Sequence, residues 1–138
     1  MGKLRKSVTA AVVAGLFFGG AGVAVADSWK GLHMTSRGVS FAGLYKWEAK
    51  FVHRGGFHVR GDLNDTDKGD GHNVYLRAKV EAYDWTRVKG VQKKSVHVDH
   101  VFFDGAVLET QDAQIQACRD RGSLRPDNCS HLREFRRR

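Results

Sequence analysis

The densest set of side chains able to bind a metal or transfer a proton is His97-Val98-Asp99-His100. Alternate residues of a strand face the same side, so His97 and Asp99 share a face and His100 points to the other. A zinc site would need a third ligand from elsewhere, and a Ser–His–Asp triad would need a nucleophile on a tight turn. The sequence offers neither, so we predict a hydrogen-bonded polar face, with no enzyme activity, cofactor or metal.

Segment 64–71 carries three aspartates and two glycines, a composition that resembles a calcium loop. An EF-hand that began at Asp65 would place Asp67 third, but Gly69 would be fifth and Leu76 would stand where Glu is required. Calcium also takes more oxygen ligands than three carboxylates supply. We therefore predict a solvated hairpin rich in Asp and Gly, with a weak calcium site as the alternative.

The only two cysteines, Cys118 and Cys129, lie close together near the end of the chain. In an oxidising compartment such a pair indicates one disulfide. Closing a loop of about 12 residues stabilises a fold by roughly 3 kcal/mol in the chain-entropy treatment. The rival interpretation, a redox or metal site, needs a CxxC-like spacing or further soft ligands, which the sequence lacks.

The first 26 residues have the pattern of a secretory signal peptide. Three basic residues precede the uncharged apolar stretch 8–25, and Ala24-Val25-Ala26 forms a small–x–small cleavage site. A single membrane anchor is the alternative, although 18 residues is near the lower limit for a span. We predict cleavage before Asp27, secretion, and no membrane span in the mature chain.

Composition and charge limit the classes of partner. The chain has 138 residues, 41% of them hydrophobic and 28% charged, which is typical of a globular domain. Removing the three basic residues of the signal lowers the net charge from +8 to +5. Because this surface is only moderately basic, charge alone gives no reason to expect a nucleic acid partner.

Almost every segment after residue 40 alternates apolar and polar residues, which is the pattern of half-buried strands. The run 73–85 is the longest, and its alternation predicts that Val74, Leu76, Ala78, Val80 and Ala82 share one face. Segment 109–118 is compatible with a helix and equally with an edge strand rich in Gln and Thr. Six or seven short strands predict an all-β fold, a small antiparallel β-sandwich of immunoglobulin-like or similar type. A small closed barrel is the alternative. The strands are predicted in segments 45–51, 57–60, 73–85, 96–103, 107–117 and 132–135.

Both ends of the mature chain lie outside this regular pattern. Residues 133–138 hold four arginines, and we predict a frayed, solvated basic tail. Residues 27–38 carry three large apolar side chains, Trp29, Leu32 and Met34, between glycines. They form either an edge strand docked on its own sheet or an extended arm that fills a partner's pockets. The domain prediction is therefore an arm over 27–38 and a sandwich over 39–138.

Four short motifs carry a resemblance to a known family. They are Asp70-Gly71-His72-Asn73-Val74-Tyr75, Val80-Glu81-Ala82-Tyr83-Asp84-Trp85, Ala117-Cys118-Arg119-Asp120 and Asp127-Asn128-Cys129-Ser130. Over about residues 40–131 the chain resembles small secreted actinobacterial proteins, and among them it is similar to the adaptor component of umbrella toxin particles. The resemblance implies a non-catalytic link between a lectin-like or protease-like cap protein and a large repeat-bearing toxin polypeptide.

The same resemblance implies that the N-terminal arm, residues 27–38, enters a cleft of the cap protein. Trp29, Leu32 and Met34 would then be the partner-binding residues. Two other functions stay open: a secreted binder of cell-surface or anionic polymers, and a small hydrolase. A polymer binder would carry its Lys and Arg side chains on one face, whereas a hydrolase would need convergent polar groups around His97, Asp99 and His100.

Overall fold

The computed structural model describes residues 27–138, so the predicted signal peptide, residues 1–26, lies outside the described residues. Within the described residues the chain forms nine strands and one short 3-10 turn. The strands are β1 Lys30–Ser36, β2 Val39–Trp47, β3 Phe57–Asp65, β4 Val74–Val80, β5 Thr86–Lys89, β6 Ser95–Phe102, β7 Asp112–Arg119, β8 Asn128–Cys129 and β9 Arg133–Arg136.

Two antiparallel sheets pack face to face, which confirms the predicted all-β sandwich. The four-stranded sheet has the order β1-β2-β3-β6, and the five-stranded sheet has the order β5-β4-β7-β8, with β9 also paired to β7. Alternate residues from each strand point into the space between the sheets. The side chains that fill it and are less than 2% exposed include Leu32, Phe41, Phe57, Val59, Leu63, Val74, Leu76 and Ile115.

The four-stranded sheet contains the strand that the sequence left undecided. β1 pairs with β2 along its whole length, and Leu32 and Met34 are 0% and 4% exposed in the core. The prediction of an extended arm over residues 27–38 is therefore wrong, and the alternative, an edge strand on its own sheet, is correct. The physical reason is that Leu32 and Met34 alternate with polar residues, so both can bury their side chains against the opposite sheet.

The five-stranded sheet corrects two strand predictions. β7 lies in the middle of its sheet, with β4 on one side and β8 and β9 on the other, so segment 109–118 is not an edge strand. The predicted long run 73–85 ends early, because the chain turns at Glu81, whose φ is 52°, and returns as β5. Within β4 the predicted inner face is confirmed for Val74, Leu76, Ala78 and Val80, whereas Ala82 lies beyond the strand and is exposed.

The C-terminal segment is ordered rather than frayed. Residues 133–136 form β9 against β7, and Phe135 packs between Tyr45 and Phe57 of the opposite sheet, 4.3 and 5.1 Å away between ring centroids. The strand predicted at 132–135 is thus confirmed, and the solvated tail predicted at 133–138 is wrong. Phe135 contributes to this difference, because its ring packs in the core although five charged residues surround it in the sequence.

Cys118 and Cys129 form the predicted disulfide. The two residues are direct cross-strand partners on β7 and β8, with Cα atoms 4.1 Å apart. Cys118 is fully buried, so the bond fastens the short strand β8 to the centre of the sheet. Across the described part of the chain, no helix has the length and apolar character that crossing a membrane requires.

Replacing both cysteines with alanine is expected to lower the free energy of unfolding by about 3 kcal/mol, because the unfolded chain regains the freedom that the closed loop removes. Urea denaturation of the double variant beside the oxidised wild type measures this difference. Intact-mass spectrometry of the wild type should show a gain of two hydrogens on reduction. Two thiols that react with iodoacetamide in the native, unreduced protein would contradict the disulfide.

Candidate functional site

The outer face of the four-stranded sheet carries the histidines and carboxylates that drew attention in the sequence. As predicted, His97 and Asp99 point outward on β6, and His100 points the other way, toward Phe102. His97 and Asp99 bind different partners: His97 Nδ1 lies 3.1 Å from Asp62, whereas Asp99 contacts β3 at His58 and Arg60. Burial lowers the pKa of His100.

His58 is the centre of an ionic cluster that the sequence did not predict. Its Nδ1 lies 2.5 Å from Glu48 Oε1 and its Nε2 lies 2.5 Å from Asp99 Oδ1. The hydrogen bond from His58 lowers the pKa of Asp99. At Glu48 burial acts to raise the pKa, but hydrogen bonds from His58 and Lys46 outweigh it and lower the pKa.

Trp29 covers this cluster. Its ring centroid lies 4.8 Å from the His58 ring, 4.9 Å from Lys46 Nζ and 4.8 Å from the Arg60 guanidinium. A half-buried indole between cations gains cation–π energy on its own sheet. Trp29 is thus the one predicted partner-binding residue of the three that stays near the surface, since Leu32 and Met34 are in the core.

The geometry of the cluster is that of an ion-pair network. Within residues 27–138, no Ser, Thr or Cys side chain hydrogen-bonds to Glu48, His58 or Asp99, so the described contacts assemble no nucleophile–base pair.

The ionic cluster was only partly predictable from the sequence. Alternation alone places His58 and Arg60 on the outer face of a strand. The pairing register, which brings Asp99 of β6 opposite Arg60 of β3, cannot be read from the sequence.

Two of the three aspartates of segment 64–71, Asp65 and Asp70, act as hydrogen-bond acceptors within the fold. The buried Asp65 carboxylate accepts from the backbone N–H groups of Asp67, at 3.1 Å, and of Lys93, at 2.7 Å. Asp70 accepts from the His72 N–H at 2.8 Å and forms an ion pair with Arg119, at 2.7 Å but without hydrogen-bond alignment. In residues 27–138, no three His, Cys, Asp or Glu side chains are grouped to hold a metal ion.

A groove of about 940 Å³ lies at the side of the sandwich, and we call it the edge groove. It opens between the start of β1 and β9, two strands at sheet edges, each with a single strand neighbour among the described residues. At one end the two strands are tied by Arg133 Nη1, which donates to the His33 carbonyl at 3.3 Å. The groove is lined by Asp27, Ser28, Lys30, Tyr45, Trp47, Glu134, Phe135, Arg136, Arg137 and Arg138.

The lining of the edge groove combines aromatic rings with cations. Tyr45, Trp47 and Phe135 line it and pack around the buried ring of Phe57, so their positions are fixed by the core. Four Lys or Arg side chains line the groove beside two carboxylates, so its local charge is positive. A preformed cavity of this size with rigid aromatic walls and a few charged groups is typical of a binding site.

Arg137 builds one wall of the edge groove. Its guanidinium lies 5.0 Å from the Trp47 ring centroid, and its Nε donates to the Thr110 carbonyl at 3.0 Å. Its Nη2 donates to the carbonyls of Glu48, at 3.1 Å, and Gly55. One side chain thus joins the C-terminal segment to the β2–β3 and β6–β7 loops. The solvated-tail prediction missed it, and no sequence pattern distinguishes Arg137 from its arginine neighbours.

Comparison with known proteins adds no relative to this description. The chain matches no protein-family model, no curated protein and no solved structure.

Proposed function

We propose that the chain is a non-catalytic protein-binding module that takes an extended segment of its partner into the edge groove. The observation that carries this proposal is the position of the groove, between the edges of β1 and β9 and above the aromatic side chains Tyr45, Trp47 and Phe135. Strand edges offer backbone donors and acceptors to an extended peptide, while pockets between them select its side chains.

The charge of the groove specifies the kind of segment that fits. Lys30 is paired with Asp27, and Arg136 is paired with Asp112, whereas Arg138 has no ion pair among the described residues. An acidic residue in the bound segment would neutralise Arg138, and an apolar residue beside it would cover Tyr45 and Phe135. The proposed ligand is therefore an extended segment that combines apolar and acidic side chains.

The sequence resemblance makes this proposal more specific. The motifs shared with the adaptor component of umbrella toxin particles point to two partners, a secreted lectin-like protein and a large toxin polypeptide. The corrected role of residues 27–38 changes the proposed mode of binding, because Leu32 and Met34 are occupied in the core. Secretion is part of the same proposal, supported by the signal pattern of residues 1–26 and by a disulfide of the kind common in exported proteins.

The test fills the groove without disturbing the core. Ser28 is exposed and lines the groove, so Ser28→Trp should occupy it, and Arg138→Glu should repel an acidic segment. The proteins retained by the wild type from culture supernatant would be identified by mass spectrometry and then titrated as purified components. We expect the double variant to bind at least tenfold more weakly, with an unchanged melting temperature.

The matched control reverses charge elsewhere. Lys68 and Lys94 are exposed in loops and lie outside the groove lining, so Lys68→Glu with Lys94→Glu should bind the partner as the wild type does. Equal binding by the groove variant and the wild type would show that the partner docks at another surface.

A further inference from the structure

A second charged surface lies on the outer face of the five-stranded sheet, at β4 and β5. Arg77 and Lys79 on β4 and Arg87 and Lys89 on β5 point outward from the five-stranded sheet, and we call this set the cationic face. The register places Arg77 directly opposite Arg87. Like charges opposite each other destabilise a strand pair, and none of the four side chains forms an ion pair within residues 27–138.

The two arginines are held in fixed positions by aromatic rings. The Arg77 guanidinium lies 4.6 Å from the Trp85 ring centroid, and the Arg87 guanidinium lies 4.5 Å from that of Tyr75. Arg77 also donates to a neutral acceptor, Gln116 Oε1, from Nε at 3.0 Å and Nη2 at 2.7 Å. The rings orient the guanidinium groups without neutralising them.

The carboxylate of Asp127 lies near this face, and each of its two oxygens accepts a hydrogen bond from another group. Asp127 accepts a hydrogen bond from the Tyr75 hydroxyl and another, at 3.0 Å, from the backbone N–H of Arg121. Burial and this pairing raise the pKa of Tyr75 to about 12, so the hydroxyl stays protonated and keeps donating to Asp127. The four cations of this face therefore keep an excess of positive charge beside Asp127.

The arrangement of the cations fits a linear ligand. Residues two apart along a strand are about 6.6 Å apart, and neighbouring strands are about 4.8 Å apart, so the four cations form a short flat row. Protein interfaces depend on apolar anchors buried in pockets, and here both aromatic rings are covered by arginines. Because arginines lie over both rings, the rings cannot stack on nucleobases. The charged backbone of a polymer is therefore the feature that this face can recognise.

We propose that the cationic face binds a linear phosphodiester polymer through its backbone phosphates, independently of the edge groove. Planar guanidinium groups match phosphate oxygens in pairs, and the two lysines add point charges along the same row. A bound phosphate would also relieve the repulsion between Arg77 and Arg87, so this cross-strand pair would serve to bind the polymer.

The experiment compares defined polymers. Poly(glycerol phosphate), single-stranded oligo-dT and poly-glutamate, each labelled with a fluorophore, would be titrated with the full mature chain over a salt series. We expect the first two to bind with similar affinity, because they share phosphodiesters, and poly-glutamate to bind at least tenfold more weakly. With about four phosphates contacted, the affinity should fall with salt with a log–log slope near −3.

Variants locate the site. Arg87→Gln with Lys89→Gln, two exposed positions, should weaken binding of poly(glycerol phosphate) at least tenfold, while Lys68→Gln with Lys94→Gln, which removes the same charge, should change it less than twofold. Ser28→Trp should leave it unchanged, which separates this surface from the edge groove.

Three results would overturn the proposal. Equal weakening by both charge-removal variants would mean that net charge attracts the polymer without a site. Tight binding of oligo-dT alone would mean that bases are recognised, and poly-glutamate binding as well as the phosphate polymers would indicate an acidic protein ligand.

Discussion

Replacing Leu32 with alanine is expected to lower the free energy of unfolding by about 3 kcal/mol. Leu32 lies in the middle of β1, is fully buried, and packs in the same core as Phe41 and Ile115. Truncation removes apolar contacts and leaves a cavity, because the surrounding strands are held by their own hydrogen bonds and relax only partly. Urea denaturation followed by tryptophan fluorescence measures the change.

A matched leucine lies one strand away. Leu44 on β2 points to the outer face and is 41% exposed, so Leu44→Ala should cost less than about 1 kcal/mol. Deleting residues 27–38 altogether should prevent stable folding, since it removes Leu32 and Met34 from the core and exposes the edge of β2. A stable, cooperative fold after this deletion would restore the extended-arm interpretation.

Replacing Arg137 with alanine is also expected to lower the free energy of unfolding by about 3 kcal/mol, although the residue lies in a run of arginines. Its guanidinium donates to the carbonyls of Thr110, Glu48 and Gly55 and covers the Trp47 ring. A buried carbonyl left without a donor costs roughly 1–3 kcal/mol, and water can reach only some of these groups.

The neighbouring arginine supplies the control for this prediction. Arg138 is exposed, and no ion pair in the described residues involves it, so Arg138→Ala should change stability by less than about 0.5 kcal/mol. Arg137→Lys should recover only part of the loss, because an ammonium group cannot reach three carbonyls in the plane that the guanidinium occupies. Equal melting temperatures for Arg137→Ala and Arg138→Ala would contradict the structural role of Arg137.

The parts of the fold that depend on local pattern were predictable. Alternation identified the inner face of β4, and the close spacing of Cys118 and Cys129 identified the disulfide. Each of these features involves residues that are near each other in the chain. Local propensity and short loops determine these two features, so both can be predicted from a single sequence.

The candidate sites were less predictable, because they depend on pairing between distant segments. The edge groove requires β1 and β9 to lie side by side, and Arg133 and His33, which meet there, are 100 residues apart. The ionic cluster requires the register that brings Asp99 beside His58. The role of β1 shows the same limit, since the apolar residues of segment 27–38 fit a core strand and a binding arm equally well.

The position of Arg137 also has a consequence for the order of events during folding. Its hydrogen bonds to the carbonyls of the β2–β3 loop join residues about 85 positions apart in the chain, and β9 pairs with β7 in the same segment. Such long-range contacts form slowly, because the intervening chain must be ordered before they can be made. The two sheets are consequently expected to be fastened at this side late in folding, after the hairpins between neighbouring strands have formed.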